Sequence, residues 1–88
     1  MEDTNSAGPA DTNQRELTFG EKAVGLTFNP SNNPEVQSIK EAFAKTIDVL
    51  NDLRNAAGQG DKGRMLSVAI TEAQTAQMWA VKAVTWQY

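Results

Sequence analysis

Residues 64–88 read RMLSVAITEAQTAQMWAVKAVTWQY. This stretch predicts a single helix that is apolar or small around most of its circumference. A helix without a clear solvent face must be buried on several sides. The chain has 88 residues and only one other long segment with helical periodicity, so one partner helix cannot cover it. The sequence therefore predicts a chain that assembles with copies of itself into a homo-oligomeric helical bundle.

The other long helix is predicted over residues 34–57, where apolar side chains recur at alternating spacings of three and four. Asn33 is a good N-cap, Pro34 suits the first helical position, and the glycines of residues 58–60 are typical of a helix end. Asp61 is expected to cap the next helix. A link this short makes two helices antiparallel neighbours. The predicted fold is all-α, an antiparallel helical hairpin with a short N-terminal arm.

The second helix has two apolar flanks separated by a stripe of small residues. The stripe consists of Ala69, Ala73, Ala76, Ala80 and Ala83. One flank contains Leu66, Ile70, Val81 and Val84, and the other contains Met65, Val68, Trp79 and Trp86. We expect one flank to face the first helix and the other to face another subunit.

Composition divides the chain into three parts. Residues 1–16 are polar and are predicted to be a disordered acidic tail. Residues 17–33 form an arm and a turn, and residues 34–88 form the hairpin domain. The arm is too short and too glycine-broken to assign a helix or a strand, but we expect it to pack apolar side chains on the hairpin. These are Phe19, Val24, Leu26 and Phe28.

Cysteine and histidine are both absent, which removes disulfides, thiolate ligands, the commonest metal ligand and the commonest general base. We expect no metal and no cofactor, which leaves oligomerisation as the route to stability for so small a domain. No signal sequence and no run of about 20 apolar residues occurs, so a cytoplasmic protein without a membrane partner is expected. Residues 22–88 carry a charge of only +1, with no basic stripe for a nucleic acid polymer.

An enzyme is not expected from these residues. The carboxylates of Glu41 and Asp48 lie at heptad spacing on the polar side of the first helix, which is typical of a solvated face. Ser67 has no histidine to activate it. The glycines after the first helix do not follow a strand, as a phosphate-binding loop requires. We therefore predict no catalytic residue.

Three cations allow two interpretations. Arg64 and Lys82 are 18 residues apart, about five helical turns, so they share one face of the second helix. They are either solubilising charges and caps, or, together with Lys40, phosphate ligands at a subunit seam. Phe28 is likewise either a packed side chain or a stacking platform for a base.

The pattern Arg64-x-x-Ser-x-Ala-x-Thr71-x-x-Gln74-x-x-x-Met78-x-x-x-Lys82-Ala, preceded by a helix with Ile39-Lys40, resembles the hairpin domain of phage anti-CBASS and anti-Thoeris sponge proteins. The resemblance covers about residues 34–86. Those small proteins form hexamers that sequester the cyclic nucleotide signals of bacterial immune systems. The resemblance implies a hexamer that binds such a messenger in the host cytoplasm without cleaving it.

The resemblance also implies roles for individual residues. Lys40 matches a family lysine that contacts a cyclic dinucleotide phosphate. Lys82 falls where other members use an arginine in a separate pocket for cyclic trinucleotides, and lysine lacks the bidentate fork of arginine. The family's stacking aromatic is a tyrosine upstream of the lysine. This chain has no tyrosine there, and Phe28 is the nearest candidate.

The ligand-binding set predicted from the sequence is Phe28, Lys40, Arg64, Thr71, Gln74 and Lys82. The messenger that the resemblance implies is a cyclic dinucleotide, a cyclic trinucleotide or a cyclic ADP-ribose isomer, bound in one kind of pocket or two. The alternative is a structural or protein-interaction module, because the same apolar helix could bury itself against another protein and bind no small molecule. A weaker alternative is an enzyme that degrades the messenger.

Overall fold

The computed structural model describes residues 15–88, and all regular structure in that range is helical. The helices are α1 (Phe19–Val24), α2 (Pro34–Ala57) and α3 (Asp61–Val84). The long helices have 24 residues each and are joined by three residues, and α1 packs mainly on α2. The expected all-helical fold is confirmed, and α2 and α3 are the two helices of the hairpin. The predicted tail, residues 1–16, lies outside the described residues except for its last two.

The start of α2 follows the sequence prediction. The side-chain oxygen of Asn33 accepts from the backbone N–H of Glu35 at 2.8 Å and of Val36 at 3.3 Å. Pro34 occupies the first helical position, where its missing N–H costs no hydrogen bond. These contacts fix where the chain enters the hairpin.

The link between the long helices differs from the prediction at Asp61. Gly58 ends α2 with a φ of 72° and donates to the carbonyl of Arg54, as a terminal glycine should. The N-cap of α3, however, is Gly60, and no side chain caps it. Asp61 is already inside the helix, where its charge faces the positive end of the dipole.

The predicted helix also extended too far at the C-terminus. α3 ends at Val84, so Trp86 and Tyr88 lie beyond it. The hydroxyl of Thr85 donates to the carbonyl of Val81 at 2.8 Å, and the N–H of Trp86 donates to the carbonyl of Ala83. A threonine hydroxyl near a helix end can bond to backbone carbonyls of the last turn, and such a bond competes with continuation of the helix.

Part of the arm is a helix that sequence reasoning did not assign. Thr18 and Glu21 form a capping box: the Thr18 hydroxyl accepts from the Glu21 N–H at 3.1 Å, and the Glu21 carboxylate accepts from the Thr18 N–H at 2.9 Å. Arg15 adds two 2.8 Å hydrogen bonds to that carboxylate. These bonds, the arginine first, lower the pKa of Glu21 to about 2. Threonine followed three residues later by glutamate is the sequence signal that could have revealed α1.

Gly20 lets α1 lie directly on α2. A Cβ atom at this position would collide with the carbonyl oxygen of Ala44. The N–H of Gly20 donates to the Asp48 carboxylate at 2.7 Å. Asp48, predicted to lie on a solvated face, therefore caps α1 and is half-buried.

The core joins all three elements but is small. Val24 and Leu26 from the arm region pack with Ala44, Ile47 and Ile70. The arm is expected to pack on the hairpin, and this pair does so, whereas Phe19 and Phe28 stay 43% and 72% exposed. Within residues 15–88, no helix is long and apolar enough to cross a membrane.

One apolar surface of α3 remains uncovered, and we call it the outer face of α3. Ile70 is buried, whereas five large apolar side chains of the outer face are about half exposed or more. These are Met65, Val68, Met78, Trp79 and Trp86. They include all four members of one of the two flanks that the sequence predicted.

Candidate functional site

Lys40 lies on the side of α2 that faces the turn after α1, and it is only 5% exposed. Its ammonium donates to the carbonyl oxygen of Gly25 at 2.9 Å and to that of Phe28 at 2.6 Å. Burial lowers the pKa of Lys40, since loss of water disfavours the charged form. The two carbonyls supply the polar contacts that a buried ammonium requires.

Within the chain, the Lys40 head points to the arm that precedes α2. The ammonium binds two carbonyls of the turn after α1, and the Gly25 carbonyl also accepts from the Phe28 N–H at 2.9 Å. An ammonium has three N–H donors. Two are used by the fold, which leaves one for another acceptor.

Phe28 and Lys40 are brought together by that turn. The Phe28 ring centroid lies 5.5 Å from the Lys40 ammonium, within the range of a cation–π contact. The ring is 72% exposed. A cation and an accessible aromatic surface therefore meet at the junction of α1 and α2.

Two glutamines of α3 differ in their partners. Gln74, a predicted ligand residue, donates from its amide to the carbonyl of Ala23 at 3.4 Å. Gln77, which sequence reasoning passed over, is 5% exposed and makes no side-chain hydrogen bond with another described residue. Its spacing of seven from Ile70 is the signal that places it on the buried side of α3.

Lys82 lies in a different environment, on the outer face of α3. Its ammonium is 5.1 Å from the centroid of Trp79 and 5.6 Å from that of Trp86. It makes no hydrogen bond or ion pair with any residue in 15–88. The spacing of three puts the Trp79 indole on the same side of α3 as Lys82, whereas Trp86 comes two residues after the end of the helix.

A pocket of about 170 Å³ opens beside this lysine. It is lined by Thr75, Met78, Trp79 and Lys82. The Thr75 hydroxyl donates to the carbonyl of Thr71 at 3.1 Å, so its oxygen lone pairs remain as acceptors. The pocket thus has an aromatic wall, a thioether wall and one cation.

The remaining predicted residues are exposed and stand apart from this pocket. Arg64 lies near the start of α3, about 27 Å along the helix from Lys82 at 1.5 Å per residue. Thr71 is exposed between them and contributes its carbonyl to Thr75. The structure therefore brings Lys40 together with Phe28 but does not join Arg64 to Lys82.

A fourth cation, Arg54, contacts residues of all three helices. The Arg54 guanidinium donates to the Ser67 hydroxyl at 3.1 Å and to the Asn51 side chain at 2.7 Å. It also lies 5.3 Å from the centroid of Phe19. Arg54 thus links α2 to both other helices, which explains Ser67 without a catalytic role. No group of three or more acidic side chains that could hold a metal occurs in the described part of the chain.

Comparison with known families gave one match. The family model described as "Acb2/Tad1, hairpin domain" matches residues 21–85. The matched range contains both long helices, the Lys40 junction and the pocket beside Lys82. Comparison with curated proteins and with solved structures gave no match.

Proposed function

Because the chain belongs to the Acb2/Tad1 hairpin family of anti-CBASS and anti-Thoeris sponge proteins, we propose that it binds a cyclic nucleotide messenger and sequesters it without cleaving it. The family is a binding sponge rather than an enzyme. The observation that carries the proposal is the meeting of the Lys40 ammonium and the exposed Phe28 ring, 5.5 Å apart. A cyclic nucleotide offers a phosphate to the first and a base to the second.

The chemistry of Lys40 supports a phosphate as the ligand group. A phosphate oxygen takes the third N–H of the ammonium, or replaces the carbonyl of Phe28 and moves the turn that carries the ring. Hydrogen bonds between charged partners are about twice as strong as neutral ones. A base then stacks on Phe28, whose ring already faces solvent.

The proposal includes self-assembly, with a hexamer favoured. Its support is the outer face of α3, where Trp79 is 65% and Met78 60% exposed. Monomeric proteins rarely expose large contiguous apolar patches, and such patches usually mark interfaces. Copies that meet on the long helices create seams between subunits. Such a seam lets several cations act on one ligand in the cytoplasm of a phage-infected host.

The same outer face supports a second candidate. An apolar helix face can receive an amphipathic helix of another protein, which makes the chain an interaction module without a small-molecule ligand. Nucleic acid polymers and membranes are not among the proposed partners.

The test incubates the purified chain with a cyclic dinucleotide, a cyclic trinucleotide or a cyclic ADP-ribose isomer. The protein is separated from free ligand and heat-denatured, and the released material is analysed by chromatography. We expect at least one messenger to be recovered intact. Recovery of converted messenger contradicts sequestration and indicates an enzyme, and no recovery from any of the three indicates the interaction module.

Assembly is tested by light scattering at micromolar concentration. We expect a mass well above the 9.6 kDa of one chain, with six copies favoured. Ala76→Leu or Ala80→Leu should lower that mass while circular dichroism keeps its helical signal, because an overpacked interface typically costs about 1–3 kcal/mol. A wild-type mass near that of one chain would refute self-assembly.

A further inference from the structure

A second apolar surface lies on α2, and we call it the outer stripe of α2. Its five members are all exposed, and they are Ala42, Thr46, Val49, Leu53 and Ala56. Val49 is 58% and Leu53 48% exposed. The hydroxyl of Thr46 donates to the carbonyl of Ala42 at 3.2 Å, so the polar group of the stripe already has a partner within the helix. The outer stripe is therefore suited to an apolar contact.

The spacing of the outer stripe indicates what kind of partner fits it. Its members follow one another at intervals of four, three, four and three residues. Their average is about 3.5 residues, the repeat at which one helix packs along another in a coiled coil. The stripe covers about two heptads, fewer than the three or four that mark an independent coiled coil. A helix fits this surface, but a pair of this length needs a further contact to be stable.

Two charges on one edge of the outer stripe indicate the orientation of that partner helix. Lys45 and Asp52 are both exposed, and their separation of seven residues puts them about 10.5 Å apart along the axis. They are too far apart to pair with each other, and neither forms an ion pair with another residue in 15–88. In a parallel pair this edge would meet the opposite edge of the stripe, where Leu50 and Ala57 carry no charge. In an antiparallel pair of copies the two charged edges meet each other.

We propose that the outer stripe of α2 binds the same stripe of a second copy of this chain, antiparallel and about a two-fold axis near Val49. Lys45 then lies beside Asp52 of the partner subunit, and the symmetry forms the same ion pair a second time. Ala42 lies opposite Ala56 of the partner subunit. These small side chains at both ends of the contact let the two helices approach closely.

This inference rests on the self-assembly in the proposed function but uses a different helix. A contact about a two-fold axis joins two copies and leaves neither stripe free for a third. An assembly of six copies therefore needs another contact, which the outer face of α3 supplies. Each copy then takes part in two different interfaces, one on each long helix.

The first experiment introduces single cysteines into a chain that has none. Val49→Cys lies near the two-fold axis and should form a disulfide-linked dimer on oxidation at micromolar protein concentration. Ala42→Cys is the matched control on the same stripe, because an antiparallel partner holds its second thiol about 21 Å away along the axis. A disulfide requires Cα atoms within about 7 Å, so Ala42→Cys should give less than about a tenth of that dimer. Ala42→Cys and Ala56→Cys refolded together should form the disulfide that neither variant forms alone.

The second experiment tests the ion pairs in the Val49→Cys background. Lys45→Asp puts like charges together at two places and should slow disulfide formation about 2- to 30-fold at low salt. Combining it with Asp52→Lys forms both ion pairs again with reversed signs and should restore the rate, which also controls for the changed charge near the thiol. Lys62→Asp, on α3 and outside the stripe, changes the net charge equally and should have no effect. Circular dichroism of each variant verifies folding.

Three outcomes overturn the inference. If Ala42→Cys dimerises as readily as Val49→Cys, the copies are parallel or meet by unspecific collision. If Asp52→Lys does not restore the rate in Lys45→Asp, the two ion pairs do not form. If Val49→Cys gives no dimer while light scattering shows a wild-type mass above one chain, the copies meet elsewhere and the self-assembly in the proposed function still stands. A wild-type mass of one chain refutes that self-assembly itself.

Discussion

Lys40 and Lys82 each have an aromatic neighbour on a long helix, but they differ in burial and in hydrogen-bond partners. Each lies on a long helix with an aromatic ring 5–6 Å from its ammonium. Lys40 is 5% exposed and donates to two carbonyls, whereas Lys82 is exposed and makes no hydrogen bond with another described residue. The comparison teaches that the partners of an ammonium, and not its aromatic neighbour, decide whether it supports the fold or remains for a ligand.

This difference affects how each lysine can bind a phosphate. At Lys40 a phosphate must share the ammonium with the carbonyl of Phe28, 2.6 Å away, or displace it. At Lys82 no hydrogen-bond acceptor within residues 15–88 competes with a phosphate. We therefore expect phosphate binding at Lys40 to be coupled to the position of the arm, and phosphate binding at Lys82 to be independent of it.

The largest effect is expected from detaching the arm that supplies the partners of Lys40. In Gly20→Leu the new side chain collides with the Ala44 carbonyl, so α1 must leave α2 and expose Val24 and Leu26. Loss of their burial costs about 3–6 kcal/mol at 1.5–3 kcal/mol for each side chain. Urea unfolding at a fixed protein concentration measures this loss. The same change at Lys22, on the exposed side of α1, is the control, and equal losses in both variants would contradict the close packing.

The second effect compares the two lysines directly. Lys40→Met removes the hydrogen bonds to the carbonyls of Gly25 and Phe28, of which only the Gly25 carbonyl keeps another donor, the Phe28 N–H. It should lower the free energy of unfolding by about 1.5–3 kcal/mol, as for hydrogen bonds from a charged group. Lys82→Met should change it by less than about 0.5 kcal/mol, as is usual at the surface. Amide hydrogen exchange at residues 25–28 should accelerate only in the first variant. Similar losses from both substitutions would break the distinction.

A third, smaller effect is expected at Gln77, where a side-chain amide is buried without a hydrogen-bond partner among the described residues. The amide of Gln77 is 5% exposed and lacks a hydrogen bond to a described residue, so Gln77→Met should raise the free energy of unfolding by about 1 kcal/mol. Gln74→Met removes the bond to the Ala23 carbonyl and should lower it by about as much. A loss of stability in Gln77→Met would show that the amide has a partner, and thermal melts of the pair decide it.

The sequence predicted the hairpin well because its signals are local. Asn33, Pro34 and the glycine link act within one helical turn of their neighbours, and the structure has them in those roles. The missed helix α1 also had a local signal, the capping box of Thr18 and Glu21, which the two glycines of the arm concealed.

The contacts of the site could not be predicted because they join distant parts of the chain. Nothing in the neighbourhood of Lys40 indicates that the carbonyls of Gly25 and Phe28, 15 and 12 residues earlier, accept its hydrogen bonds. Asp48 looked solvated for the same reason, since its partner Gly20 is 28 residues away. The pairing of Lys82 with Trp79 was within reach, because a spacing of three along a helix requires no tertiary information.

The smallest effect links the arm to pH. Glu21 has its pKa lowered to about 2 in the folded chain, mainly by Arg15 and then by the N–H of Thr18, from an ordinary value of 4.5. A carboxylate with a lowered pKa stabilises the fold fully above pH 4.5, and the contribution is lost as pH falls toward 2. The effect is expected to be under about 1 kcal/mol, because solvent and salt screen an ion pair whose arginine is exposed.

Glu21→Gln should therefore lower the melting temperature at pH 6 by a few degrees, since 1 kcal/mol corresponds to about 4–8 °C in a domain of this size. The difference from the wild-type chain should vanish as pH approaches 2. Glu72→Gln, on α3 and away from the arm, should leave the melting temperature unchanged at pH 6. A constant difference between Glu21→Gln and wild type across this pH range would show that the carboxylate charge does not hold α1, and that the arm reaches Lys40 by packing alone.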